Sequence, residues 1–303
     1  MKRILLPILL LALPEAVWAA GTNSAEFLRL GVGAPAAQSE AAASVDRGPT
    51  AMLWNPAGLA TMERPEAYAA NLGMPQGVNY NFVAGAMPVK TGPLAGTVGA
   101  SLQVLSQTPI DRLSNTGAYE GRFSSDSEAA AISWAGKRGG FRVGGTLRFI
   151  RESIDGDSGM GPSADIGAQR DFGKLSMGAA LTNLGPGVAV RGVVSPLPTT
   201  MRVGANYEAN SVLTGALEVS HSEGRGARGH MGLSVVLWGP MSIAAGYAVE
   251  GASPDGPNGF SSGVTMRAKN LTADFSYRPY GVFGSTLQVG LGMRFGAAGQ
   301  ARP

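Results

Sequence analysis

The C-terminal stretch 287–295 alternates without interruption between apolar residues and small or polar ones. The apolar residues are Leu287, Val289, Leu291, Met293 and Phe295. Because successive side chains on a strand point to opposite faces, this pattern predicts a strand with one apolar face. Its length suits a tilted strand that crosses a bilayer, and Phe295 suits an aromatic girdle. A half-buried strand of a soluble sandwich would show the same alternation, so the rest of the chain must decide.

From Glu66 onward, fourteen segments carry this two-residue period. They lie near 66–72, 78–88, 93–105, 126–136, 140–151, 161–171, 174–183, 198–207, 211–221, 227–237, 241–250, 258–267, 270–278 and 286–295. The connections alternate between short turns and longer loops, the latter near 73–77, 106–125, 152–160, 184–197, 222–226, 251–257 and 279–285. Such sorting is typical of outer-membrane barrels. We therefore predict an all-β, 14-stranded antiparallel transmembrane β-barrel over residues 66–295, with both termini periplasmic.

Aromatic residues gather at both ends of the predicted strands. Near the short turns lie Phe141, Phe172, Tyr207, Trp238 and Phe295. Near the longer loops lie Phe149, Tyr247, Phe260 and Tyr277. Aromatic rings prefer the depth of the lipid headgroups, so two girdles are predicted.

Charged residues on these strands alternate with the apolar ones, and charge facing lipid is costly. The following are therefore predicted to face the lumen: Arg142, Arg148, Asp165, Arg202, Glu218, Arg267, Asp274, Arg278 and Arg294. A barrel of this size is wider than its own side chains can fill. Residues 20–65 lack a strand period and show helical patterning around 24–31 and 36–45, so we predict that they form a partly helical plug. Its wedge would be Trp54, Asn55, Pro56, Ala57, Gly58 and Leu59, with Asn55 capping the turn that Pro56 begins.

The two ends of the chain differ from the barrel. Residues 1–19 combine Lys2 and Arg3, an apolar run and small residues before a cleavage site, as in a secretory signal peptide. Residues 296–303 show no alternation and are predicted to form a periplasmic tail. No later apolar run is long enough for a spanning helix, so a β-barrel is the membrane option that remains.

Composition narrows the function further. The chain has no cysteine, only 15% charged residues and a formal charge of +3, which disfavours nucleic acid as a partner. His221 and His230 lack a carboxylate pattern that would complete a metal site. The stretch 155–159 lacks the later ligands of a calcium loop and suits a solvated loop. No catalytic set stands out, so we predict no enzyme activity, no cofactor and no metal.

Four stretches resemble the PorV/PorQ family of outer-membrane proteins. They are Gly21-Thr22-x-x-Ala25-x-Phe27-Leu28-x-Leu30-Gly31-Val32-Gly33-Ala34, Leu53-Trp54-Asn55-Pro56-Ala57-Gly58-Leu59-Ala60, Asn183-Leu184-Gly185-Pro186 with Pro196-Leu197-Pro198-Thr199-Thr200, and Asp274-x-x-Tyr277-x-Pro279-Tyr280-Gly281-x-x-Gly284. The second is shared in part with FadL-type fatty-acid channels. After Ala34 the family has Arg and a Met-Gly-Gly-Ala-like run, where this chain has Pro35 and Ser39-Glu40-Ala41-Ala42.

The resemblance implies a FadL-like barrel with an N-terminal plug, located in the outer membrane. It implies a secretion-associated shuttle or scaffold of the type IX kind, whose partners would be membrane lipid, exported cargo proteins or secretion components. It also implies that the apolar stripe ending at Phe295 is the signal that the barrel-assembly machinery recognises. The alternative is a FadL-like channel for hydrophobic small molecules. The inward face consists mostly of glycine, small polar residues and arginine, which disfavours an apolar conduit unless the plug supplies the missing apolar wall.

Overall fold

The computed structural model describes residues 23–250, 259–279 and 284–296. The predicted signal peptide (1–19) and the predicted tail beyond Gly296 lie outside the described residues. In chain order the strands are β1 (Glu66–Met74), β2 (Val78–Val89), β3 (Gly96–Gln107), β4 (Ile110–Leu113), β5 (Tyr119–Phe123), β6 (Ser125–Arg138), β7 (Phe141–Ile154), β8 (Asp157–Phe172), β9 (Leu175–Leu184), β10 (Val188–Val190), β11 (Val193–Ser195), β12 (Thr200–Glu208), β13 (Leu213–Ser222), β14 (Gly226–Trp238), β15 (Met241–Glu250), β16 (Phe260–Ala268), β17 (Leu271–Pro279) and β18 (Ser285–Arg294).

Fourteen of these strands form one closed barrel, in which every strand pairs antiparallel with its neighbours. The seam is made by β1 and β18, whose register runs from Glu66 opposite Arg294 to Gly73 opposite Leu287. The predicted fold class is therefore confirmed, and each predicted segment overlaps one barrel strand. None of the helices in the described part of the chain is long and apolar enough to cross a membrane.

The connections are less sharply sorted by length than the sequence suggested. The prediction of a loop at 152–160 is wrong, because β7 and β8 extend as a hairpin to the turn Asp155-Gly156. Both turn residues have positive φ (55° and 84°), the conformation that Asp-Gly favours in a two-residue hairpin turn. Two other predicted loops fold as hairpins of their own, β4–β5 and β10–β11.

Ion pairs join these three hairpins beyond the long-loop end of the barrel. The Asp155 carboxylate contacts Arg112 of β4 and also Arg191 between β10 and β11. Arg191 contacts Asp157 as well. The hydrogen bond from Arg112, followed by that from Arg191, lowers the pKa of Asp155 below its usual value. The hairpins are therefore tied to one another by charge.

The two faces of the sheet differ in the way that a membrane barrel requires. Apolar side chains of alternate residues are exposed on the outer face, and Leu147 is 64% exposed there. Its neighbour Thr146 is 2% exposed, and its hydroxyl lies 2.7 Å from that of Ser133. Each aromatic residue predicted to lie in a girdle is at least 37% exposed on the outer face. The outer surface of the barrel thus matches the hydrocarbon core and interfaces of a bilayer.

We expect Leu147→Arg to destabilise the barrel in lipid by roughly 2–4 kcal/mol, because the guanidinium would face the hydrocarbon near the middle of β7. The measurement is a denaturant refolding titration in vesicles. Val193→Arg is the matched control, since Val193 is also exposed but lies in the β10–β11 hairpin outside the barrel wall. Equal losses for the two variants would contradict this assignment of the outer face.

Candidate functional site: the barrel lumen

Residues 23–62, here called the lumen segment, run lengthwise through the barrel. At the long-loop end the amide of Asn23 donates to the Glu223 carbonyl (2.7 Å), and the Ser24 N–H donates to the Pro196 carbonyl (2.9 Å). At the other end, residues 56–61 pack against β6, β7 and β8 before the chain enters β1. The first described residue and the start of β1 therefore lie at opposite ends of the barrel. The C-terminal end of β18 lies at the short-turn end, so the prediction that both termini share one side is not supported for the N-terminus.

The lumen segment is built from helical pieces of three to six residues rather than long helices. These pieces are Glu26–Arg29, Ala34–Ala37, Ala43–Val45, Ala51–Trp54 and Pro56–Thr61. Left-handed or glycine conformations at Gly33, Ser39 and Glu40 interrupt them, since such backbone angles cannot continue an α-helix. The helical patterning of the sequence is thus present only in short pieces.

Paired glycines in the wall let the lumen segment approach the sheet at backbone distance. Three cross-strand pairs face the lumen, namely Gly144 with Gly167, Gly178 with Gly204, and Gly232 with Gly246. A Cβ atom at Gly178 would lie 1.9 Å from the Ser44 carbonyl oxygen, and one at Gly167 would lie 2.0 Å from Asn55 Oδ1. These positions therefore require glycine while the segment is in place.

We expect Gly178→Val to displace the lumen segment locally, because its Cβ cannot coexist with the Ser44 carbonyl oxygen. The variant should conduct more ions than the wild type across a planar bilayer. Gly85→Val is the matched control, since a Cβ at Gly85 would meet nothing within 4 Å. If Gly178→Val folds and conducts no more than Gly85→Val, the close approach at Gly178 does not hold the segment in place.

Asn55 fixes the centre of the predicted wedge. Its Oδ1 accepts from the Ala57 N–H (3.1 Å), capping the turn Pro56–Thr61. Its Nδ2 donates to the Ser44 carbonyl (2.7 Å) and lies 3.2 Å from the carbonyls of Ala168 and Ala179. The side chain is fully buried. One amide thus joins two parts of the lumen segment to β8 and β9, and residues 54–59 are all buried.

Trp54 connects the wedge to a buried group of charges. Its indole Nε1 donates to the Val32 carbonyl (3.3 Å), and the Arg202 guanidinium stacks 5.2 Å from the ring centroid. Arg202 donates to Glu218 (2.9 Å), whose other oxygen accepts from the Ser44 N–H (2.6 Å). The segment and the wall therefore share one polar network.

The turn at Ser39 and Glu40 anchors the middle of the segment. Both residues adopt positive φ (49° and 69°), in the stretch where the resembling family carries glycines. The Ser39 N–H donates to the Ser261 hydroxyl, and the Ser39 carbonyl accepts from the His230 ring, each at 2.7 Å. The Glu40 carboxylate lies 3.7 Å from Arg202 and 3.8 Å from Arg278. Two residues in a strained conformation are thus held by contacts to the wall.

The other charged residues predicted for the lumen differ in their surroundings. Arg148 and Asp165 form an ion pair (2.8 Å) with almost no exposure, and Tyr68 donates to Asp274 (2.8 Å). Arg142 pairs with Asp171 and Arg294 with Glu66 near the short-turn end, where Arg267 is exposed. His230 is buried and His221 is exposed on the opposite face, so the two do not share a site. Within the described residues, no cluster of three or more His, Asp and Glu side chains could hold a metal.

An apolar region in the half of the lumen near the long loops, here called the upper lumen, was not predicted from the sequence. Tyr80, Phe82 and Ile150 are fully buried on the inner face and belong to one cluster with Phe27 and Leu28 of the lumen segment. A signal was available in β2, where the buried Tyr80 and Phe82 alternate with the exposed, polar Asn79 and Asn81, so the apolar face near the long-loop end is the inner one. A cavity of about 40 Å³ lies nearby, lined by Leu30, Trp54, Leu72 and Arg278 among others. It has room for little more than a water or two.

Comparison with solved structures identifies similar barrels. The CymD monoaromatic hydrocarbon channel matches with a TM-score of 0.62 at 12% identity, covering 88% of this chain and 98% of that one. The Pseudomonas putida toluene transporter TodX matches with a TM-score of 0.64 at 10% identity, covering 88% and 99%. The chain thus shares the fold of these FadL-like outer-membrane channels. No protein-family model and no curated protein sequence matches it.

Proposed function

We propose that this protein is an outer-membrane channel through which small hydrophobic molecules enter, and that the lumen segment keeps it closed at rest. The proposal makes it a transport protein and not an enzyme. The observation that carries it is the apolar region of the upper lumen, where Phe27 and Leu28 of the lumen segment share one buried cluster with Tyr80, Phe82 and Ile150 of the wall. The shared fold with hydrocarbon channels supports the same function but does not by itself assign a substrate.

The lumen segment adds apolar side chains to those that the strands present on the inner face. Leu30 and Trp54 of the segment and Leu72 of β1 line one side of the small cavity, and Arg278 lies on another. The cavity is far smaller than the roughly 300–1,000 Å³ of ordinary ligand sites. A hydrophobic molecule must therefore displace part of the segment, whose turn Glu26–Arg29 carries the buried Phe27 and Leu28 of the apolar cluster.

The test is the entry of a hydrophobic fluorescent probe, 1-N-phenylnaphthylamine, into Gram-negative cells that express the protein. Cells with the wild type should take up the probe faster than cells without the protein, and uptake of a labelled disaccharide should be equal in both. Leu72→Asp should bring probe entry back toward the rate of cells without the protein, because it places a carboxylate in the apolar wall. Leu94→Asp, in an exposed short turn, is the matched control.

Equal probe entry in cells with and without the wild-type protein, at matched amounts of folded barrel, would refute the channel. The secretion role implied by the PorV/PorQ resemblance stays a prediction, since no matched relative supports it. Co-purification of exported cargo proteins with the barrel from native membranes would favour that role over transport.

A further inference from the structure

The outer wall of the barrel carries an open apolar groove. It has a volume of about 590 Å³ and crosses β12 to β15, reaching β9 at one end and β16 at the other. Its floor is made of small residues, Ala205, Gly215 and Ala245, and its sides include Tyr207, Leu217 and Leu233. The large side chains are exposed on the face that meets lipid. The groove is therefore open to the hydrocarbon core of the membrane.

The strand register places one arginine on the row of outward-facing residues that runs into this groove. On the outer face Arg170 is paired with Met177, Met177 with Ala205, and Ala205 with Leu217. The same row continues through Met231 and Tyr247 to Phe260. Arg170 lies two residues before the short-turn end of β8, whereas Phe260 begins β16 at the long-loop end. Because barrel strands are tilted, the row crosses the membrane obliquely from one interface to the other.

Arg170 is presented as a cation at headgroup depth. Its guanidinium lies 4.7 Å from the ring centroid of Phe141 and 4.9 Å from that of Phe172. It forms no ion pair with any described residue, and the neighbouring Asp171 points to the lumen side and pairs with Arg142. The exposed Arg138, opposite Phe141 in the register, adds a second cation on the same face. The described outer faces of β8 and β9 carry no carboxylate.

We propose that this surface binds one anionic phospholipid from the leaflet on the short-turn side. Its phosphate is held by Arg170, and one acyl chain lies in the groove between Tyr207 and Leu217. A guanidinium offers a planar pair of donors that matches a phosphate group. Surrounding lipid is as apolar as the groove, so the groove adds only packing contacts with the acyl chain. The preference for one lipid species over another comes from the contact between the headgroup and Arg170. With no carboxylate on the outer faces of β8 and β9, an ammonium headgroup gains no partner on these two strands, which favours an anionic lipid over a zwitterionic one.

The experiment uses the full chain folded into vesicles of equal parts phosphatidylglycerol and phosphatidylethanolamine. Native mass spectrometry after release into detergent then counts the retained lipids. The wild type should retain one phosphatidylglycerol in preference to phosphatidylethanolamine. Arg170→Gln should lower the ratio of phosphatidylglycerol-bound to free barrel about tenfold, as expected from loss of one charge-assisted contact. Lys90→Gln, in an exposed turn at the same end, should leave that ratio unchanged.

A second variant keeps the test independent of the arginine. Gly215→Leu should fill the groove and reduce retention of both lipids, because a Cβ at Gly215 approaches only Leu233 (3.8 Å) and does not disturb the wall. The heat-dependent gel shift of each variant verifies that it is folded. The proposal is overturned if folded Arg170→Gln retains phosphatidylglycerol as well as the wild type does. It is equally overturned if inorganic phosphate stabilises the wild type as much as phosphatidylglycerol does and folded Gly215→Leu retains phosphatidylglycerol as well as the wild type, since the site would then bind free anions.

Discussion

Deletion of residues 20–60 should leave a folded barrel that conducts ions across a planar bilayer, whereas the intact protein should conduct few. The lumen segment occupies the barrel from the Ser24 contact at one end to the turn Pro56–Thr61 at the other. A cavity beside it, lined by Leu30 and Trp54 among others, has only about 40 Å³. The deletion leaves all fourteen barrel strands intact, since β1 begins at Glu66. A large rise in single-channel conductance is the expected result.

The deletion experiment needs proof that the shortened chain has closed into a barrel. The heat-dependent gel shift provides it, and Gly178→Val provides a version in which the segment is displaced but present. Similar conductance for the intact and shortened proteins would mean that the segment does not close the pore. The segment would then be better described as an arm for docking other components.

Replacing Asp165 by alanine should cost about 3–5 kcal/mol of stability, the largest effect that we expect from one substitution. Asp165 and Arg148 form an ion pair whose side chains are at most 2% exposed, so the variant leaves an uncompensated buried guanidinium. Asp165 also accepts from the Asn183 N–H (2.7 Å) at a register shift between β8 and β9. Denaturant unfolding of the refolded barrel in vesicles measures the loss.

The double variant Arg148→Met with Asp165→Leu is the control for this prediction. Apolar residues of similar volume in place of a buried ion pair are often neutral or stabilising. The double variant should therefore recover most of the stability that Asp165→Ala loses. If both variants lose the same amount, the loss comes from the Asn183 contact or from packing and not from the unpaired charge.

The sequence was sufficient to predict the barrel, because each strand shows its two faces in the alternation of its own residues. Alternation along a strand such as β18 follows from lipid on one side and the lumen on the other, so the strands could be read one at a time. The aromatic girdles followed from the same alternation. The outward position of Leu147 and the inward position of Thr146 are both seen in the structure.

The contents of the lumen could not be read in this way, because they depend on contacts between distant residues. Nothing near Gly178 in the sequence indicates that the Ser44 carbonyl will approach it. The apolar character of Tyr80 and Phe82 gained its meaning only once Phe27 was placed against them. The extension of β7 and β8, by contrast, did have a local signal, because Asp155-Gly156 favours a two-residue hairpin turn, although the stretch was predicted to be a loop.

The lengthwise course of the lumen segment constrains the order in which the molecule can fold. A chain that enters at one mouth and joins β1 at the other is encircled once β1 and β18 have paired. Threading it afterwards would draw some forty residues through a finished ring past close-fitting glycines. That barrier is avoided when β1 and β18 pair around a lumen segment that is already in place. Burial of Trp54 and the closing of the last strand pair should therefore share one rate constant in refolding kinetics.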